Sequence, residues 1–132
     1  MASIFTKIVE REIPAHIVAE DENYLAFLDI NPLVEGHTLV IPKKEVDYVF
    51  DLDHQTLAGL FSFSKGVAQA IESVIPCQRI GLTVMGLEVP HAHVHLIPMQ
   101  TMDDMNFANM KLSPSKEEME ATAKKIKEAY EK

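Results

Sequence analysis

Residues 90–98 read Pro90-His91-Ala92-His93-Val94-His95-Leu96-Ile97-Pro98, and their alternation decides how the rest of the chain is read. Side chains on a strand point to opposite faces with period 2. On a strand over 91–97, His91, His93 and His95 share one face, while Ala92, Val94 and Leu96 turn into the core. The outer Cα atoms of such a row stand about 13 Å apart, from the rise per residue. Each imidazole needs both a donor and an acceptor. Crowded like charges lower one another's pKa values. A neutral imidazole near pH 7 is a nucleophile and a proton carrier, and a protonated neighbour donates to phosphate oxygens. Such a row can attack phosphorus and hold the developing charge at once. Two readings compete with this one. An exposed polar face on an edge strand needs no chemistry. A zinc site is the stronger rival, because three protein ligands suffice for a catalytic zinc. Two histidines at this spacing can share a metal, but a third sits too far along the strand to join without strain.

Outward from this stretch, residues 79–85 read as the strand before it, parted from it by Gly86–Pro90. Residues 54–75 carry a helical period with Leu57, Leu60, Phe61, Val67, Ala68, Ile71, Val74 and Ile75 on one stripe. Asp53 is the N-cap and Pro76 the stop. Residues 16–20, 24–29 and 37–42 read as three earlier strands, the first two joined around Asp21–Asn23. Residues 3–10 form a short helix capped by Ser3. Residues 99–112 are irregular and hold four of the seven methionines, which suits a flexible cover or interface filler. Ser113-Pro114 starts a last helix running to Tyr130, with Pro at its first position and Met119, Ala123, Ile126 and Tyr130 on its apolar stripe. The order gives an α+β fold: an antiparallel five-stranded sheet, a long helix on one face and a C-terminal helix.

The 132 residues suit one domain, and 47% apolar with 24% charged residues excludes a disordered or collagen-like chain. A net charge of −8 argues against nucleic acid and anionic membrane as partners. A small anionic substrate stays open, because a site is decided locally. Cys77 is the single cysteine, so no intrachain disulfide forms and a reducing compartment is expected. The start lacks the basic and apolar regions of a signal peptide, and no apolar run is long enough to span a membrane. A cytoplasmic location is expected.

His91-Ala92-His93-Val94-His95-Leu96-Ile97 resembles the His-x-His-x-His signature, followed by apolar residues, of the histidine-triad (HIT) family. Ser3-Ile4-Phe5-Thr6-Lys7-Ile8, Glu12-Ile13-Pro14-Ala15, Leu25-Ala26-Phe27-Leu28-Asp29-Ile30-Asn31-Pro32 and Gly36-His37-Thr38-Leu39-Val40-Ile41-Pro42-Lys43-Lys44 are similar to the blocks that precede the triad in the Hint-like branch. The resemblance spans residues 3–98. It implies a single HIT-like domain over 1–132 with a variable segment at 99–132. It also implies a nucleotide hydrolase or transferase. Such an enzyme cleaves at the α-phosphate of a nucleoside monophosphate derivative (phosphoramidate, ester or anhydride) through a nucleotidyl-histidine intermediate. Carried over, His93 is the nucleophile, His91 and His95 bind the phosphoryl oxygens, and His37 supports the triad. Asp29 contacts the ribose hydroxyls of a purine nucleotide, and Phe5, Ile8, Ile13 and Phe27 hold the base. The resemblance also implies a homodimer with joined sheets, a partner that removes an open strand edge.

The chain departs from the family pattern in three places. Many bacterial relatives hold a structural zinc on Cys-x-x-Cys near the start and a later His; Ser3, Thr6 and Glu45 stand at those positions, so neither metal nor cofactor is expected. Gly86-Leu87-Glu88-Val89 replaces a common Gly-Gln-(Ser/Thr/Glu)-Val, which leaves Glu88 and Val89 in the nucleotide-binding set. Leu87 loses a polar group that can touch phosphate, and a carboxylate at Glu88 protonates a leaving amine only with a raised pKa. The loop before the triad is short and has no Asn. The alternatives are a dinucleoside polyphosphate hydrolase and a nucleotide-binding protein with little turnover.

Overall fold

Asp21 makes the first reversal of the sheet. Its Oδ1 accepts the backbone N–H groups of Asn23 and Tyr24, each at 2.8 Å. The turn joins β1 (Ile17–Glu20) to β2 (Tyr24–Leu28), which pairs antiparallel with β3 (Thr38–Pro42). Gly36, with φ of +90°, supplies the left-handed turn into β3, a conformation a side chain would strain. The computed structural model of the chain describes residues 2–132; Met1, the first residue of the expected domain, lies outside the described residues. Beyond β3 come α2 (His54–Val74), β4 (Arg79–Thr83), β5 (Val94–Met99) and α3 (Lys116–Tyr130), and α1 (Ile4–Val9) precedes β1. The strands lie in the order β1-β2-β3-β5-β4, every pair antiparallel, so the α+β fold is the one expected.

The sheet is covered on both faces, which is why β2 and β3 are buried at all five positions. Tyr24, Ala26, Leu28, Val40, Val94 and Leu96 face one side, where Leu60, Val67 and Ile71 of α2 and Ile126 of α3 pack. Leu25, Phe27, Leu39 and Ile41 face the other side under Phe5 and Ile8 of α1. Leu60 is fully buried against that first face. Leu60→Ala should lower stability by about 2–5 kcal/mol, the range for emptying a leucine site in a core. Urea denaturation measures it; a loss under about 1 kcal/mol would mean that α2 does not close the core.

Four local readings are corrected. β5 begins at Val94, not at 91, because Pro90 has no N–H to give and the N–H groups of His91 and Ala92 go to Val89 and Val46 carbonyls at 2.8 and 2.7 Å. β4 stops at Thr83, opposite His95, where the ladder ends. The last helix starts at Lys116, since Ser115 and Glu118 cap it reciprocally and Pro114 stays outside. On α2, Phe61 is exposed and Phe63 is buried instead, stacked on Tyr24 at 5.6 Å and tilted against Tyr130 at 5.9 Å. The same contact explains Gly59 inside the helix: an added Cβ would lie 2.0 Å from the Tyr24 hydroxyl.

Candidate active site

The turn over 90–93 brings His93 to the head of β5, and its backbone decides the state of its ring. His93 Nδ1 lies 2.7 Å from the carbonyl oxygen of His91. A carbonyl only accepts, so the ring proton sits on Nδ1. In the neutral form of the ring Nε2 then keeps its lone pair. The His95 ring is next to it, 5.0 Å between centroids, and Phe5 meets His93 edge-on at 5.0 Å.

A second chain of hydrogen bonds sets His95. The Leu33 N–H donates to His37 Nδ1 at 3.0 Å, so the proton of His37 is on Nε2. That N–H donates to His95 Nδ1 at 2.9 Å, which places the proton of His95 on its Nε2. A bare nitrogen on His93 therefore stands beside an N–H donor on His95. Burial pushes His37 down to about 4, helped by the Lys111 charge, and His95 down to about 3, helped by the competing His37 and His93 rings. Burial also lowers His91, against the pull of the Pro42 carbonyl and Glu45. The sequence assigned low pKa values to mutual repulsion; desolvation is the larger cause at all three rings.

His91 is placed differently from expectation. Its Nε2 donates to the Pro42 carbonyl at 2.7 Å, and its Nδ1 receives Ser3 Oγ at 2.9 Å. Both nitrogens have protein partners, so the ring has none left for a phosphoryl oxygen. The expected alternating row of three is a pair, His93 and His95, with a third ring turned inward.

Two clusters among the described residues offer metal-ligand types, and both are engaged in hydrogen bonds. Donor atoms of Asp29, His37 and His95 lie within 4.8 Å of one another. His37 Nε2 and His95 Nδ1 already bond each other at 2.9 Å and the Leu33 N–H occupies His37 Nδ1, so the two rings are committed to a hydrogen-bond chain. Ser3, Thr6, Glu45 and His91 also converge, but two of the four are hydroxyls that already serve as hydrogen-bond donors, unlike the Cys and His ligands zinc takes.

Asp29, at the end of β2, places Oδ2 3.6 Å from His37 Nε2. Burial raises its pKa, and the Asn31 N–H holds the rise back. Phe5, Ile8 and Phe27 are buried in one apolar cluster, with Ile13 and Val89 packed against it. That cluster continues to His93 through Phe5. Glu88 is exposed, and its charge raises the Asp29 pKa. Two residues in the 99–132 segment carried no signal in the sequence. Phe107 packs edge-on to His95 at 4.9 Å and to His37 at 6.1 Å. Lys111 lies 5.9 Å from the Phe107 ring centre, and its charge acts on Asp29 and His37. The Leu112 N–H ties this strap to the Pro32 carbonyl at 2.9 Å.

A family model described as the HIT domain matches residues 10–102. An uncharacterized HIT-like protein of Methanocaldococcus jannaschii is 42% identical over 102 residues, 72% of this chain and 77% of that protein. A protein of Saccharomyces cerevisiae named adenosine 5'-monophosphoramidase is 37% identical over 99 residues, 74% of this chain and 62% of that one. Among solved structures, a zinc-bound histidine triad family protein from Mycobacterium smegmatis superposes with a TM-score of 0.86 at 28% identity, covering 99% of this chain and 94% of that one.

Proposed function

The chain belongs to the HIT family, and from that premise we propose that it is a nucleotide hydrolase acting at the α-phosphate of a purine nucleoside monophosphate derivative, with a phosphoramidate as the favoured substrate. One observation carries the reading: a bare Nε2 on His93 beside a protonated Nε2 on His95, each fixed by a separate hydrogen-bond chain. His93 Nε2 gives its lone pair to the α-phosphorus. The bond from phosphorus to the leaving group breaks, and that group departs with the electron pair and takes a proton from solvent water. His95 Nε2–H donates to the phosphoryl oxygen where charge develops. Water then attacks phosphorus and gives a proton up to solvent, the bond to His93 breaks with its electron pair returning to Nε2, and the nucleoside monophosphate leaves. Dividing the displacement through histidine makes each step easier than one direct attack.

The other residues serve recognition. Asp29 accepts the ribose hydroxyls, and the half-apolar slot of Phe5, Ile8, Ile13, Phe27 and Val89 takes the base. Glu88, exposed and acting on Asp29 by its charge, borders the nucleotide. His37 keeps His95 in its donor form, and His91 places His93. One domain carries the activity, with Phe107 of the tail closing the His37–His95 end. The yeast relative's name supports the phosphoramidate substrate. The single cysteine and net charge of −8 support a cytoplasmic setting and argue against nucleic-acid partners. No helix among the described residues is long and apolar enough to cross a membrane. The test is turnover of adenosine 5'-phosphoramidate beside a diadenosine polyphosphate. Faster amide cleavage is expected; faster polyphosphate cleavage would move the substrate class to dinucleotides, and no cleavage of either would leave a nucleotide-binding protein.

We also propose a homodimer. β4 ends the sheet with an open edge carrying the exposed Leu82, and Phe50, Phe61, Met85 and Leu87, all exposed, line one apolar cleft with Val84 just beyond the strand. A contiguous apolar face of this kind next to an unpaired strand is matched by a second copy of itself. Sedimentation should give twice the chain mass, and Leu82→Lys should give single chains. A wild-type protein that sediments as one chain at micromolar concentration would refute the pairing.

A further inference from the structure

Ser3 and Thr6 open α1, Glu45 follows β3, and together they hold the one side of His91 that Pro42 does not. The Pro42 carbonyl keeps the His91 proton on Nε2, so Nδ1 is bare and needs a donor. Ser3 Oγ lies 2.9 Å from it and Thr6 Oγ1 3.3 Å. Ser3 Oγ also accepts the Thr6 N–H at 3.0 Å, which orients it as the helix cap. Glu45 Oε1 takes the Ser3 N–H at 2.7 Å and the Thr6 hydroxyl at 2.5 Å. A carboxylate only accepts, so it draws the Thr6 proton outward and leaves the Ser3 hydroxyl as the donor to His91. These bonds keep the Glu45 carboxyl below the usual carboxylate range.

We propose that Ser3, Thr6 and Glu45 form a metal-free hydrogen-bonded clip that positions the nucleophile at one remove, fixing the ring of His91 and, through the His91 carbonyl, the ring of His93. The clip ties α1 and the chain after β3 to one fully buried imidazole. Pro42 ties the same ring to β3 from its other nitrogen. A ring anchored at both nitrogens holds the backbone of residue 91, whose carbonyl receives the His93 Nδ1–H at 2.7 Å. With the clip open, that peptide is held only by its own backbone bonds, the Ala92 N–H to the Val46 carbonyl among them, and the bond that orients the His93 ring loosens. The clip stands where the zinc-site pattern described for bacterial relatives would put Cys, Cys and His, and its hydroxyls and carboxylate do the fastening by hydrogen bonds. Its kinetic consequence rests on the reading of His93 as nucleophile; its effect on the rings does not.

The experiment compares Ser3→Ala/Thr6→Val, Glu45→Ala and Glu45→Gln with the wild type. It reads kcat and KM for adenosine 5'-phosphoramidate, the nitrogen-15 signals of the His91 and His93 rings, and zinc content. The double variant should lose roughly 10- to 100-fold in kcat, the range for removing a group that orients a ligand, with KM changed less than about twofold. The His93 Nδ1–H signal should broaden or vanish in it. Glu45→Ala should lose less, and Glu45→Gln should keep most activity, because the Gln carbonyl still accepts both bonds. Unchanged kcat with an intact His93 signal would overturn the clip. A rise in KM alone would also overturn it, because the three residues would then only anchor α1 and its base-binding side chains. Stoichiometric zinc, with activity lost on chelation, would replace the clip by a metal site. If the wild type cleaves no nucleotide, the function fails and the ring signals still decide the clip. If the double variant does not fold, Ser3→Ala alone, which removes the donor to His91 Nδ1 and keeps the Thr6–Glu45 bond, gives the ring readout.

Discussion

His93→Ala should lose turnover by on the order of 10⁴- to 10⁶-fold, the scale seen when a nucleophile is removed from a preorganised site. His93 Nε2 is the ring nitrogen left bare when Nδ1 donates to the His91 carbonyl. Nothing nearby can take over: His95 Nε2 carries a proton, His37 uses both nitrogens, and both nitrogens of His91 are bonded. Binding should persist, because Asp29, Phe5, Ile8 and Phe27 keep their places around a small truncation. Stopped-flow turnover with calorimetric binding of the product nucleotide measures both. Residual activity within about tenfold of the wild type would place the nucleophile elsewhere.

Acid should unfold the protein well before its carboxylates titrate. His37 and His95 have folded pKa values of about 4 and about 3, below the ordinary value of 6.5. Above about pH 7 both rings are neutral in either state and contribute no slope. As pH falls below about 6.5, the unfolded chain takes up protons that the buried rings refuse, so stability drops. Each ring removes about 1.4 kcal/mol per pH unit in this window. Two rings therefore remove about 5 kcal/mol between pH 6.5 and 4.5, comparable with the whole stability of a small domain. Lys111 strengthens the effect at His37, whereas Asp29, with its raised pKa, opposes it near the acid end of the window. Urea midpoints at half-unit steps from pH 7.5 to pH 4.5 give the slope. A flat profile down to pH 5 would mean that the rings are charged or exposed in the folded protein.

The triad was legible because alternation is a local property. His91, His93 and His95 announce themselves by spacing, and the blocks around Asp29 and His37 carry the family resemblance. What sets their chemistry was not legible, because it is largely backbone. The Leu33 N–H, the Pro42 carbonyl and the His91 carbonyl choose every tautomer in the site, and any residue at those positions offers the same groups. Phe107 and Lys111 lie in a segment without periodicity, so nothing but tertiary folding brings them to the rings. Phe61 and Phe63 show the limit of a helical stripe: which phenyl is buried depends on Tyr24 waiting across the interface. Ser115 and Pro114 show another limit, since both signal a helix start and the reciprocal bond with Glu118 decides between them.

The central claim is a covalent bond between His93 and the nucleotide. Rapid acid-free quenching during cleavage of adenosine 5'-phosphoramidate, followed by peptide mapping by mass spectrometry, reads it directly. The adenylyl group should appear on the peptide bearing His93, be labile to acid, and be absent in His93→Ala. Turnover at the full rate with no adduct, or an adduct on another residue, would contradict it.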